Sequence, residues 1–329
     1  MPSNKKILIT GGAGFIGSHL AEKLLEQGEE VFVLDDLSTG SLENIKKAQE
    51  NPNFHFIKGS VLDEKLVDET VDKVDEVYHL AAAVGVKTVV DQPLQSFLVN
   101  IDGTKNVLAA AAKKHTPVLI TSSSEVYGKN DELPFKEEDD RVYGSIYRER
   151  WGYGLSKTSD EFLGLAYFRE KGLPVVIVRL FNVVGPRQKG AYGMVVPRFI
   201  KQALSNQPIE VYGDGEQTRC FGFVKDVAKA LINLMEAKEK TYGHIFNVGS
   251  DEEISIKNLA EKIKKLTDSQ SEIKFIPYAQ VYGDNFDDMR HRRPDISAIK
   301  KAVGHNPMDL NTTLNKTIEY WRQNPTHAN

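Results

Sequence analysis

The sequence predicts an α/β protein built on a doubly wound parallel sheet, with a smaller α/β unit in its C-terminal part. Three observations carry this. Short apolar runs alternate with amphipathic stretches through the first half of the chain, the pattern of a sheet covered by helices on both faces. A glycine-rich turn, Gly11-Gly12-Ala13-Gly14-Phe15-Ile16-Gly17, joins the first run to the first amphipathic stretch. Beyond about residue 180 the alternation weakens, and Pro and Gly punctuate the chain.

Taken in order, residues 7–10 read as a buried strand, and residues 18–27 have helical spacing closed by Gly28. Strands follow at 31–34, 54–57 and 76–80, a helix at 100–113, a strand at 118–121, a long helix at 151–171 and a strand at 175–179. A further strand-like run lies at 244–248, with helices at 256–266 and 310–323. This divides the chain into a sheet domain, 1–180 with a return segment near 223–250, and a second domain, 181–329. The Lys/Glu run at 236–240 reads as a solvated helix end.

Composition narrows the class. The 329 residues suffice for one large or two modest domains, and 40% apolar with 27% charged residues is ordinary for a soluble fold. A net charge of -4 speaks against a nucleic-acid partner, while leaving room for a local basic pocket. Cys220 is the sole cysteine, so no intrachain disulfide can form, which fits a reducing cytoplasm. The apolar run near the start is too short for a signal-peptide core, and no stretch approaches the ~18 apolar residues of a membrane span. The expectation is a cytoplasmic protein that is not membrane-inserted and has no metal site.

The glycine turn has the spacing G-x-x-G-x-x-G between a strand and a helix. One glycine permits the tight turn, one lets backbone approach a pyrophosphate, and one lets the helix pack on the strand. The helix N-terminus then offers free N–H groups to phosphate. Asp35 ends the second strand, where a carboxylate accepts hydrogen bonds from an adenosine ribose and repels a 2′-phosphate. Residues 37–40 contain no Arg or Lys. The prediction is therefore NAD rather than NADP.

Tyr153 and Lys157 stand at i and i+4, on one face of the long helix. A phenol titrates near 10 and is a poor base at neutral pH. A nearby ammonium and a positive nicotinamide ring would both favour the phenolate. Tyr153 could then take a hydroxyl proton while a hydride leaves the same carbon. The run Ser122-Ser123-Ser124-Glu125-Val126-Tyr127-Gly128 follows the fifth strand, at the sheet edge where ligands bind.

Together these residues resemble the extended short-chain dehydrogenase/reductase family, which includes sugar-nucleotide epimerases, dehydratases and decarboxylases. The motifs are GGAGFIGS at 11–18, HLAA at 79–82, SSSEVYG at 122–128, YGLSK at 153–157 and RLFNVVGPR at 179–187. The resemblance implies a Rossmann sheet and a tightly held NAD, reduced and reoxidised within one turnover. It implies Tyr153 as base, Ser123 as its hydroxyl partner and Lys157 on the nicotinamide ribose. The implied cofactor set is Gly11, Gly14, Phe15, Ile16, Gly17, Asp35, Ser60, Val61, Leu80, Ala81, Ala82 and Asn100, with Tyr153 and Lys157. Ser60 stands where many members carry an aspartate for adenine, and a hydroxyl makes the weaker contact. The implied substrate set is Ser124, Asn182, Arg187, Val196, Arg219 and Arg292, holding a nucleotide-diphosphate sugar, foremost a UDP-sugar. A homodimer through the two long helices is also implied.

The leading expectation is 4-epimerisation of a UDP-hexose or UDP-hexuronate. Tyr153, assisted by Ser123, removes the C4 hydroxyl proton, the hydride passes to NAD, and the 4-keto sugar turns before taking it back. Arg219, Arg187 and Arg292 would hold the diphosphate. The alternative keeps the oxidation and changes the fate of the ketone: UDP-glucuronate decarboxylation or 4,6-dehydration. Glu125 resembles the acid of those branches that serves later steps, and equally reads as a structural acid bonding backbone N–H groups. The stretch His291-Arg292-Arg293-Pro294-Asp295 resembles the decarboxylase branch, and Arg292 and Arg293 equally fit a phosphate clamp. A non-catalytic NAD sensor is the third reading, against which the intact Ser123, Tyr153 and Lys157 set argues.

Overall fold

Successive residues of a strand point to opposite faces, and in this chain both faces are apolar. Ile7 and Ile9 enter one core with Val31, Val33, Leu119, Val176 and Val178. Leu8 enters the other with Leu34, Val77, Val118, Ile120, Val175 and Ile177. That division is what a parallel sheet buried on both sides requires. The computed structural model describes residues 4–84, 92–148, 150–190, 194–282 and 289–324.

Among these, seven strands form the central sheet. They are β1 (Lys6–Thr10), β2 (Glu30–Asp35), β3 (Phe54–Lys58), β4 (Glu76–His79), β5 (Val118–Ser123), β6 (Val175–Leu180) and β11 (Ile245–Val248). Their order is β3-β2-β1-β4-β5-β6-β11, and every pairing is parallel. The predicted doubly wound sheet is thus present. The helices α1 (Phe15–Glu26) and α6 (Val224–Glu236) cover the first face through Leu20, Leu24, Val227 and Leu231. The helices α2 (Glu64–Val71), α3 (Pro93–Ala112) and α4 (Arg150–Lys171) cover the second through Val67, Val107, Leu108 and Leu163. The strand order reverses between β1 and β4, which opens a crevice beyond their C-terminal ends.

Two helices begin earlier than the periodicity predicts. The first starts at Phe15 rather than residue 18, because Gly14 ends the turn and the helix runs from it. The second starts at Pro93 rather than residue 100. Pro suits a first helical position, and the apolar residues that follow, Leu94, Phe97 and Leu98, are exposed, so no buried stripe marked this turn.

After β6 the chain builds a second core. The helices α5 (Val195–Leu204), α7 (Ile256–Leu266) and α9 (Leu310–Gln323) pack with β8 (Ile209–Tyr212) through Phe199, Ile200, Val211, Leu259, Ile263 and Leu314. (Helix α8, Ser297–Val303, packs on the sheet side through Ile299.) Beyond the central sheet, β7 (Val183–Val184) pairs parallel with β10 (Gly222–Phe223), and β9 (Thr218–Cys220) pairs antiparallel with β12 (Glu253–Ser255). Residues 289–295 return over the sheet edge. Phe135 N–H donates to Arg293 O at 2.9 Å and Asp295 N–H donates to Phe135 O at 2.8 Å, strapping this segment to the chain at Phe135. The 236–240 run ends α6 and turns exposed at 238–240.

Candidate functional site

The glycine turn closes on itself at the β1–β4 crevice. Gly11 has φ +72°, and a Cβ there would lie 2.7 Å from Ala81 N. A Cβ on Gly17 would lie 2.4 Å from Gly11 O. By contrast, a Cβ on Gly14 would meet only Gly11 O within 4 Å, at 3.0 Å. Gly14 is the N-cap of α1 and no side chain caps it. The first-turn amides of a 12-residue helix therefore end in a glycine-lined opening, the arrangement that receives a diphosphate.

Asp35 is buried beside this opening. Its Oδ2 accepts from Ala13 N–H at 2.9 Å and its Oδ1 from Leu37 N–H at 2.8 Å. Burial pushes its carboxyl above the ordinary value, against these two backbone bonds. A carboxylate offers about four lone-pair sites, so capacity remains for ribose hydroxyls. Val61 O accepts from Asn106 Nδ2 at 3.0 Å and Ser60 is half-buried next to it. Leu80, Ala81 and Ala82 follow β4, half-buried along the crevice. Asn100 Oδ1 accepts from Ala83 N–H at 2.8 Å, while its Nδ2 donates to Ser156 Oγ at 3.0 Å. Asn100 so fixes the strand end to the tyrosine helix.

At the far end of the crevice, Ser123 is hydrogen-bonded to the Tyr153 phenol. Ser123 Oγ also accepts from Glu125 N–H at 3.2 Å. The expected lowering of Tyr153 by Lys157 is not what the structure shows. Lys157 Nζ donates to Asp160 Oδ2 at 2.7 Å, so the ammonium's charge is answered inside the helix. Burial holds the Tyr153 phenol well above its ordinary value. Glu125 and Asp160 add to that rise, and Ser123 and Arg292 oppose it. Tyr153 is therefore a phenol in this state, and the bound positive cofactor is left to favour the phenolate.

Glu125 faces the site from the short turn after β5. Its carboxylate accepts from Arg292 Nη2, and Arg292 Nη1 donates to Asn182 Oδ1 at 3.4 Å. Asn182 Nδ2 in turn donates to Cys220 O at 3.1 Å. Arg219 Nη1 donates to Thr218 O at 2.7 Å, in the strand that meets residue 290. Tyr153, Ser123, Glu125, Asn182 and Arg292 thus converge between the two units, with Arg219 held to the backbone of Thr218 and Arg290. Ser124 Oγ is buried and has no hydrogen-bond partner among the described residues, a hydroxyl free to meet a ligand.

Two predicted substrate residues do not join them. Arg187 turns away to α1, donating to Ser18 Oγ at 3.2 Å and pairing Glu22 at 2.5 Å. Its positive φ of +71° carries the chain that way. The Val196 side chain is buried in the second core beside Phe199 and Ile200. Sequence reading missed Asp160, although a carboxylate three residues after Lys157 shares its helix face.

Comparison with known proteins decides the family. The model for the NAD dependent epimerase/dehydratase family matches residues 7–249. The chain belongs to that family. Its cofactor is NAD, and the glycine opening, Asp35, Asn100, Tyr153 and Lys157 are the residues that would hold it. It is 43% identical over 321 residues to the UDP-N-acetyl-alpha-D-glucosaminuronate decarboxylase of Bacillus cytotoxicus, covering 97% of this chain and 98% of that one. It is 37% identical to UDP-glucuronic acid decarboxylase 1 of Xenopus tropicalis, covering 98% of this chain and 73% of the relative. Among solved structures, it resembles the UDP-glucuronic acid 4-epimerase of Bacillus cereus in complex with UDP-glucuronic acid and NAD. The TM-score is 0.86 at 30% identity, with 97% of this chain and 99% of that one covered. The chain is thus an enzyme of the NAD dependent epimerase/dehydratase family.

Proposed function

We propose that this family member decarboxylates a UDP-linked hexuronic acid, the alternative raised above, rather than epimerising a UDP-hexose. The observation that carries the reading is the Glu125–Arg292 pair beside Tyr153. A bare guanidinium would hold a sugar carboxylate and stabilise it in the ground state, which opposes its loss. Paired with Glu125, Arg292 presents a compensated charge to an acidic sugar. The 43% identity to a hexuronate decarboxylase over nearly the whole chain supports the same choice.

The chemistry follows from this chain's residues. When bound, NAD would accept a hydride from the sugar C4 and serve as the hydride source for the closing reduction. Tyr153, hydrogen-bonded to Ser123, receives the C4 hydroxyl proton. The C4 ketone makes the substrate a β-keto acid. The C5–C6 bond then breaks, its electron pair passes into the enolate and carbon dioxide leaves. C5 takes a proton from solvent, and Tyr153 gives its proton back to the C4 oxygen as the ketone is reduced. Asn182, Arg219 and Arg292 orient the diphosphate and sugar.

Incubation with UDP-glucuronate and with its 2-acetamido counterpart tests this by product mass. A product lighter by one carbon dioxide supports the proposal. Unchanged mass with inverted C4 overturns it in favour of the 4-epimerase.

We also propose a homodimer. Leu94, Phe97 and Leu98 on α3, with Leu155 and Phe162 on α4, leave an apolar face exposed; Leu94 and Phe162 are each 72% exposed. Exposed apolar residues gathered on two helices in this way suit an association surface.

A further inference from the structure

Lys157 and Asp160 lie inside the protein, their side chains 2% and 0% exposed. Asp160 Oδ1 has no hydrogen-bond partner among the described residues, and the hydroxyl of Thr104 of α3 lies near enough to favour the carboxylate. Thr104 Oγ1 lies 3.1 Å from His79 Nε2, and His79 Nδ1 lies 2.7 Å from Thr10 Oγ1. Thr10 Oγ1 accepts from Ala81 N–H at 3.3 Å.

Burial, with the Lys157 charge adding, pushes His79 down to about 3, so the ring is neutral. It donates through one nitrogen and accepts through the other, with Thr10 and Thr104 on either side. The series runs from Ala81, at the dinucleotide crevice, through β1 and β4 to α3.

We propose that Asp160 is a positioning residue for the redox site: it anchors the Lys157 ammonium and tempers the charge that Lys157 places on Tyr153. An ammonium has three donors, and the one given to Asp160 sets the direction of the other two toward the cofactor. Asp160 counters the Lys157 field, so Tyr153 takes up its proton readily on return. The Lys157 ammonium, bonded at 2.7 Å, supports Asp160 as an anion against burial, which with Glu161 favours its protonated form. The groups facing Tyr153 are Glu125 from the turn after β5, Ser123 from β5, Arg292 from the 289–295 strap and Asp160 from α4. Of these, Asp160 is the one bonded to the lysine.

The inference rests on the reading that Tyr153 and Lys157 serve the NAD redox step. Its first test is independent of the sugar: titration of the full chain with NADH, followed by fluorescence. Asp160→Ala should weaken the dinucleotide at least roughly tenfold, the size of a lost hydrogen bond to a charged group. Asp160→Asn, which still accepts from Lys157, should restore most of it. The second test is the pH profile of kcat/KM with the sugar that is turned over. Removing the negative charge lowers the Tyr153 pKa, so in Asp160→Asn the acid limb should move to lower pH by roughly half a unit or more. Wild-type NADH affinity in both variants, or equal loss in both with an unmoved acid limb, overturns the proposal and leaves Asp160 a structural ion. Should Asp160→Ala not fold, the pH profile of the near-isosteric Asp160→Asn decides alone: a shifted acid limb supports the proposal, and an unmoved one overturns it. If no UDP-sugar is turned over, the functional reading fails while the NADH titration still decides the role of Asp160.

Discussion

Arg179 and Glu161 form a two-pronged ion pair under the tyrosine helix, Nε to Oε1 at 2.8 Å and Nη2 to Oε2 at 2.9 Å. Ser122 Oγ donates to the same carboxylate at 2.6 Å, and Arg141 Nη2 at 2.7 Å. The pair joins β6 to α4 where both are buried. Removing one partner strands the other's charge. Arg179→Met or Glu161→Gln should lower stability by about 3–5 kcal/mol, read by denaturant unfolding.

The same pair sets an acid limit. Burial alone would raise the Glu161 carboxyl, but the Arg179 bonds and charge, with Ser122 and Arg141, overcome it and hold the group below the ordinary carboxylate range. A depressed folded pKa contributes stability that is complete above the unfolded value. That contribution is lost as pH falls through the folded one. Glu161→Gln should therefore flatten the fall of melting temperature on acidification below the ordinary carboxylate range.

Tyr153→Phe removes the proton acceptor and keeps the ring. Turnover should drop by roughly 10²–10⁴-fold, while NADH affinity stays within a few-fold of wild type. Loss of both together would assign Tyr153 to binding instead.

Glu125→Ala frees Arg292 from its partner. If the compensated pair is what lets a hexuronate lose its carboxylate, the variant should bind the acidic sugar more tightly and turn it over more slowly. KM and kcat should both fall, kcat by on the order of tenfold, the pattern of a strengthened ground state. A raised KM with unchanged kcat would contradict this.

Phe162→Glu places a charge at the centre of the exposed α3–α4 face. Light scattering should show a dimer for the wild type and a monomer for the variant. A wild-type monomer would refute the proposed association.

Much of the sheet was legible because each strand carries apolar residues at successive positions, and nothing but a two-sided core accounts for 7–10 or 175–178. The glycine turn was legible because its spacing serves one geometry. The second unit was harder. Helices α5 and α6 lie among short strands that pair out of sequence order, and β9 finds β12 across the 32 positions of 221–252. The reach of Arg187 toward α1 could not be read, since it depends on a left-handed backbone at a non-glycine residue. The answer to Lys157 was within reach: Asp160 shares its helix face, but a single carboxylate at that spacing usually signals a solvated pair.

The seventh strand has a consequence for how this molecule is made. Ile245 to Val248 lie beside Ile177 to Leu180, so the border of the sheet is finished by chain synthesised only after much of the second core. A nascent chain cut at residue 180 exposes a bare row of amides and carbonyls along β6, a template for promiscuous strand pairing. The cofactor half should therefore fail to persist alone, and its maturation waits on the arrival of its neighbour.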